Sequence, residues 1–508
     1  MPHPPSLSEF VQRFERVEHH RPWPRVEVDA SGWQTATDHL ATGAWTLSGL
    51  WGDAQAVHVA LLDAMSSSSI AVLTLPCPNG QFPSVAAQHP PAIRFERTVR
   101  DLFGIESQNS PDSRPWLDHG RWGLQHPLGE PTTCDVATPY PFLSAEGDSM
   151  HQIAVGPVHA GIIEPGHFRF NANGETIVRL EARLGYTHKG VETLMRGATI
   201  EQVAKLAGRV SGDSTVSYAI AFARAVEAAL NVEIPPRAHW LRALMAELER
   251  LANHFGDIGA ICNDAAFALM HAHCAVLRER VLRVADISFG HRLMRDCAIP
   301  GGVALDLDAP KVAVLRALLA EIGQRFPPLV ELYDNTASLQ DRTVSTGILK
   351  PELASQFGAG GYVGRASGRS FDARRSLVYP PYDQLRFEVP VLPEGDVNAR
   401  VWIRIREVEQ SLSLIDQILS KLPDGPFVMD VVGVPANAKE GIAIVEGFRG
   451  DILVWVRLKN DGTVARCHLR DPSWFQWPLL EAIIEGNIVA DFPICNKSFN
   501  CSYSGHDL

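Results

Sequence analysis

Apolar positions along the chain change period several times, and the changes divide it. Val57, Val59 and Leu61 alternate with other residues, and Ile70–Leu75 is a second strand-like run ended by Pro76 and Pro78. This pattern predicts two strands of a buried sheet. Phe95, Val99, Leu102 and Phe103 then recur at i, i+4, i+7 and i+8, which is one face of a helix. Glu96, Arg97, Arg100 and Asp101 fall opposite and read as a solvated surface. Residues 1–125 are therefore expected to form a small α/β domain.

Residues 126–150 hold four prolines and no period, the mark of a linker. Extended text from Gly156 to Phe170, a turn at Asn171–Gly174 and a strand at Thr176–Ala182 predict a hairpin. From Tyr186 to about Leu422 the spacing is mostly helical. Leu241, Leu244, Met245, Leu248, Leu251 and Ala252 share a face after Pro235-Pro236, with Gly256 as the expected stop. Val408, Leu412, Ile415, Leu419 and Leu422 form a second stripe. Ile442–Val445, Asp451–Leu458 and Thr463–Leu469 read as strands, the last two joined at Asn460-Asp461-Gly462. Gly358–Gly368 fails the G-x-G-x-x-G fingerprint because Val363 takes the third glycine's place, so it reads as a tight loop. The predicted class is α+β, with a mainly helical second domain over 151–508 carrying peripheral β-hairpins.

One stretch interrupts the helical text. In Arg209–Tyr218, R-V-S-G-D-S-T-V-S-Y, small and polar residues stand where the period calls for packing groups. Buried polar atoms are costly unless satisfied, so the spot is either a solvated cavity or a converted site. A second small polar run spans Ser498–Gly505. The two are expected to face each other across a cleft.

Composition narrows the function. A chain of 508 residues, 45% hydrophobic, fits two or three domains with a large core. A net charge of -12 argues against a nucleic-acid surface. No apolar run reaches the roughly 18–20 residues of a membrane span. The best candidate, Val216–Leu230, is broken by Arg224 and Glu227, and the opening M-P-H-P-P-S lacks a secretory signal. The expected location is cytoplasmic, with any membrane link made through partners. Eight cysteines contain no C-x-x-C, so zinc-ribbon and cubane spacings are absent. His271-x-His273-Cys274 resembles a metal site, but residues two apart on a helix point to different sides, and it reads as structural.

Specific strings carry a family resemblance. Glu96-Arg97, Asp101–Ile105, Pro111-Asp112-x-Arg114 and Leu117 look like the signature of the 30-kDa-type subunit of respiratory complex I. The second domain resembles the family joining the 49-kDa-type subunit of complex I to the large subunits of membrane-bound nickel–iron hydrogenases. The matching strings are Gly156-Pro157-x-His159, Glu164–Phe168, Arg183–Glu192, Glu247–Arg250 with Asn253-His254, Asp341–Thr343, Arg365–Gly368, Phe371-Asp372-x-Arg374 and Gly395-Asp396. Glu164-Pro165-Gly166-His167-Phe168-Arg169 and the fused first domain are similar to the hydrogenase-4 and formate-hydrogenlyase branch.

In such hydrogenases two C-x-x-C pairs give four thiolates to nickel and iron, which prefer soft ligands. By the resemblance these cysteines fall on Ser211, Ser214, Ser502 and Gly505, and a histidine of the motif falls on Tyr218. A protonated hydroxyl is a poor ligand for these metals and glycine has no side chain, so no metal is expected here. In complex I the cleft holds a quinone headgroup on a histidine and a tyrosine. His159 matches the histidine and Gly212 stands in the tyrosine's place, so that site is half matched.

The resemblance thus implies the core subunit of a membrane-associated, complex-I-like oxidoreductase complex that couples electron transfer to ion translocation and lacks nickel and iron. Implied partners are a small 4Fe-4S subunit of the 20-kDa type, a ferredoxin-like subunit, and membrane subunits resembling those of complex I and antiporters. The assembly would lie on the cytoplasmic face of the inner membrane, with the 4Fe-4S cluster in the small subunit. His159, Asp213 and Asp451 are the candidate catalytic residues; Asp213 either relays protons or caps a helix. Arg209, Ser211, Ser214, Arg342, Arg365 and Ser502 are the candidates for lining a cofactor cleft. A scaffold that transmits conformational change without redox turnover is the alternative, and fold alone does not decide between them.

Overall fold

The computed structural model describes residues 6–64, 68–133, 139–161, 163–431 and 439–508. Near the N-terminus, a four-stranded sheet runs in the order Arg25–Glu27, Ile70–Pro76, Ala56–Asp63, Trp45–Asp53. Its first pair is parallel and the others antiparallel. The strands carry near-continuous apolar runs because both faces are covered. The helix Ile93–Phe103 packs against the Trp45–Asp53 strand.

Of the four charges expected opposite its apolar face, Glu96, Arg97 and Asp101 are buried, and Arg100 alone stays partly solvated. Glu96 is fully buried, accepting from the Ser84 hydroxyl and the Val85 and Ala86 amides. Asp101 is buried too and accepts from the amides of Trp116, Leu117 and Asp118. Both carboxylates satisfy loop backbone that periodicity cannot register.

The predicted hairpin is the strand pair His167–Asn173 and Thr176–Arg183, and a third strand, Met150–Val155, pairs with it on the outer side. Within the expected linker, Leu124–Gln125 pairs with Thr132–Thr133, while residues 134–138 lie outside the described residues. The central helix of the second region, Pro236–Asp264, passes straight through Gly256. A side chain at 256 would have its Cβ 3.2 Å from Arg278 Cδ, so this glycine admits a crossing arginine and does not stop the helix. The helices Ala268–Phe289 and Val397–Lys421 pack against it.

A second four-stranded sheet runs in the order His20–Arg21, Glu440–Glu446, Asp451–Leu458, Val464–Arg470. Its first strand comes from the N-terminal region and pairs in parallel with Glu440 and Gly441. The two regions therefore share a sheet. Their seam is polar as well as aromatic: Arg25 pairs with Glu440 at 2.7 Å, Arg457 with Asp53 at 2.5 Å, and Trp51 stacks on His468. The helix Thr215–Leu230 lies across Glu440–Glu446 and Asp451–Leu458.

Candidate functional site

The helical text around Arg209–Tyr218 is two helices, Ile200–Ala207 and Thr215–Leu230, with residues 208–214 between them. Ser214 is the N-cap residue of the second, yet its side chain makes no capping bond. Glu249 of the central helix takes that role. Its Oε2 accepts from the Val216 amide at 2.6 Å, and its Oε1 from the Ser217 amide at 3.1 Å and hydroxyl at 2.5 Å. Orphan amides at a helix start need such acceptors, and a carboxylate also suits the positive end of the dipole.

Freed from capping, Asp213 turns to side chains. Arg449 Nη2 donates to its Oδ2 at 2.6 Å; Ser211 Oγ and Ser214 Oγ donate to its Oδ1 at 2.7 and 3.2 Å. Arg449 also reaches Ser214 Oγ at 3.1 Å and the Asn500 carbonyl at 2.5 Å. The second polar run meets the first here. The helix Phe492–Phe499 ends at Asn500 in the left-handed region, and Ser502 then caps Tyr503–Asp507 by accepting from the Gly505 amide at 2.8 Å. Ser211 Oγ and Ser502 Oγ lie 3.0 Å apart. Tyr218 donates to Asp471 Oδ2 at 2.8 Å, and that oxygen would lie 2.5 Å from a Cβ at position 505.

Electrostatics divide the two carboxyls. Burial opposes charging of Asp213, but the Arg449 guanidinium and the two serine hydroxyls outweigh it and hold the group below the usual range. Burial pushes Glu249 up to about 7, against its three donors, and the charge on Asp213 adds to the rise. Asp213 and Glu249 line a common chamber of about 140 Å³ with Gly212 and Asn253. Asn253 Nδ2 donates to the backbone carbonyls of both Asp213 and Glu249.

His159 stands apart, in a cleft of about 740 Å³ that it shares with Ile163, Phe492, Asn500, Cys501 and Tyr503. Its ring lies edge-on to Phe168, burial lowers its pKa, and among the described residues no group bonds its buried Nε2. Asn500 and Cys501 directly precede Ser502, so the inner wall of this cleft is the back of the serine cluster.

Four predicted residues lie elsewhere. Asp451 pairs with Arg470 at 2.5 Å, beside the N-terminal strand Trp45–Asp53. Arg209 holds Asp296 with both nitrogens at 2.7 Å in a largely exposed pair, and Arg342 faces Asp491 at 3.3 Å near the surface. Arg365 is fully buried between Glu407, Glu446 and Asp372 at 2.5, 2.9 and 3.4 Å. Always-charged arginine suits such a dry network, where it neutralises carboxylates and touches no cleft. His271 and His273 are exposed while Cys274 is buried, and no three His, Cys, Asp or Glu side chains among the described residues are grouped to hold a metal.

Arg449 and Glu249 are the site residues to which the sequence, though it shows both in family-like strings, assigns no role. Glu247-Leu248-Glu249-Arg250 places two glutamates two apart on one helix, where they must point to different sides. Glu247 enters the ion network through Arg374 at 2.9 Å, and Glu249 faces the serine cluster.

Comparison with known proteins follows the same outline. The family model described as respiratory-chain NADH dehydrogenase, 49 Kd subunit, matches residues 264–434 and 426–507. Those for the 30 Kd subunit and for nickel-dependent hydrogenase match residues 26–134 and 189–256. Formate hydrogenlyase subunit 5 of Escherichia coli K12 is 31% identical over 84% of this chain and 77% of its own. Carbon monoxide-induced hydrogenase of Rhodospirillum rubrum is 30% identical over 69% of this chain and 98% of its own. An NADH-quinone oxidoreductase chain of Syntrophobacter fumaroxidans is 31% identical over 70% of this chain and 95% of its own.

Proposed function

This chain belongs to the family that joins the 49-kDa-type subunit of complex I to the large subunits of formate hydrogenlyase and hydrogenase-4, and on that premise we propose that it is the core subunit of a membrane-associated oxidoreductase complex without a nickel–iron centre. In this reading electrons reach the cleft from a 4Fe-4S cluster in a small partner subunit. A ferredoxin-like subunit feeds that cluster, and antiporter-like membrane subunits convert the change into ion movement. In this reading those partners also hold the chain to the cytoplasmic face of the membrane; no helix among the described residues is long and apolar enough to cross one.

One observation carries the absence of nickel and iron. The four positions on which, by the resemblance, the metal-binding cysteines fall meet as a hydrogen-bonded cluster around Asp213 and Arg449. Hydroxyls do not fit soft metals, and a cysteine at 505 would drive its Cβ into Asp471. What remains is proton chemistry. Asp213 is charged, half-buried and flanked by two hydroxyls, the arrangement of a group that accepts a proton and passes it on. The neighbouring cleft offers His159 Nε2 to a quinone-like headgroup, whereas Gly212, which the resemblance puts in the tyrosine's place, has no side chain and lines the other chamber.

The test is purification of the complex from membranes through a tag on this chain, followed by EPR during reductant titration. A reducible cubane signal co-purifying with the chain is expected. A complex with no reducible cluster would overturn the redox reading in favour of a conformational scaffold.

A further inference from the structure

Two carboxyls, Glu249 buried and Asp213 half-buried, line the small chamber beside the serine cluster, and among the described residues only Asp213 has a charged partner. Asp213 is neutralised by Arg449. Glu249 meets no cation at hydrogen-bonding distance: its described partners are the Val216 amide and the Ser217 amide and hydroxyl. Its Oε1 accepts two bonds and its Oε2 one, which leaves Oε2 a site for a proton. The chamber between the carboxyls holds about 140 Å³, room for roughly four waters at ~30 Å³ each. Arg278 lines both this chamber and the His159 cleft, and it is exposed, so the chamber reaches solvent at that residue.

We propose that Glu249 is the proton-accepting partner of Asp213, taking a proton from it through the chamber they share. This rests on the reading of Asp213 as a proton relay. The step balances without a further reactant. A protonated Asp213 loses its proton to a chamber water, that water gives one to the ionised Glu249, and Asp213 is left as the carboxylate. Glu249 then releases the proton to solvent beside the exposed Arg278. The surroundings set the direction: Arg449 and two hydroxyls hold Asp213 low while burial holds Glu249 up, so the proton passes from Asp213 to Glu249. Charged groups facing Glu249 are Asp213 from the preceding loop, Arg278 on the Ala268–Phe289 helix and Arg292 beyond it, with Arg449 behind Asp213.

Infrared difference spectra of the purified complex across about pH 6 to 8 read the carboxylic C=O stretch directly. Glu446 is also pushed up to about 7, by burial and by the charge of Asp372, so Glu249 shares the wild-type band with it. Glu249→Gln is expected to remove one of these contributions. Asp213→Asn should keep that band and move its midpoint to lower pH, since a charge that raises Glu249 is gone. Ser217→Ala deletes a hydroxyl donor and should move the midpoint to higher pH without touching the capping amides. An unchanged band in Glu249→Gln, or a midpoint indifferent to both other variants, overturns the assignment. Failure of the relay reading looks different: Asp213→Asn then leaves turnover and its pH profile untouched, whatever the infrared band does.

Discussion

Arg449 Nη2 lies 2.6 Å from Asp213 Oδ2, which ties the turn before the Asp451–Leu458 strand to the segment that begins the Thr215–Leu230 helix. The same guanidinium holds the Asn500 carbonyl, so three distant parts of the chain meet on one side chain. Arg449→Met should therefore destabilise the protein by about 2–3 kcal/mol in urea unfolding. That is less than the ~3–5 kcal/mol of a wholly buried broken pair, because Asp213 keeps contact with water. Arg449→Lys keeps the charge and loses the fork, and should cost about 1 kcal/mol.

Position 505 tests whether the metal motif can be restored. A Cβ there would lie 2.5 Å from Asp471 Oδ2 and 2.8 Å from Ser502 Oγ. Gly505→Cys should destabilise by about 1–3 kcal/mol, measured as a lower melting temperature, through overpacking.

The ion network beneath the site is the more sensitive region. Removing Arg365 leaves Glu407, Glu446 and Asp372 facing one another in a dry interior. Arg365→Met should cost about 3–5 kcal/mol and show first as loss of the folded chain from expression lysates.

Glu249 and Glu446 each make a contribution to stability that falls as pH rises. Both have folded values raised to about 7 by burial, from an ordinary 4.5. A raised carboxyl favours folding fully below its unfolded value and loses that contribution as pH rises through the folded one. Their share should thus fall between about pH 4.5 and pH 7, against a rise from His20, His89 and His239, which burial holds down at about 4. Glu249→Gln should therefore make urea midpoints climb more steeply with pH over that window than in the wild type. Asp213 acts oppositely: its depressed value stabilises at neutral pH and is lost only in acid, below about pH 4.

Strands and helices are legible because their apolar periods are strong: Val57–Leu61, Ile70–Leu75 and the stripe at Val408–Leu419 all lie in the elements expected of them. Glu96 and Asp101 look like surface in the sequence because the amides they satisfy lie up to 17 residues away. Gly256 looks like a stop, since packing against Arg278 leaves no trace in local sequence. At the site, Ser211, Asp213, Ser214 and Ser502 stand out as polar text in apolar surroundings. Arg449 does not, because an arginine in a charged turn looks like any exposed one. Arg209, Arg342 and Asp451 are conspicuous by residue type, but only the fold decides that their partners are Asp296, Asp491 and Arg470.

The central claim is that the serine cluster replaces a nickel–iron centre. Elemental analysis of the complex, purified from nickel-supplemented cells through a tag on this chain, tests it most directly. Iron from partner clusters with no stoichiometric nickel is the predicted result. One nickel per chain, lost on mutating Ser211 or Ser502, would contradict the claim and the correspondence of positions beneath it.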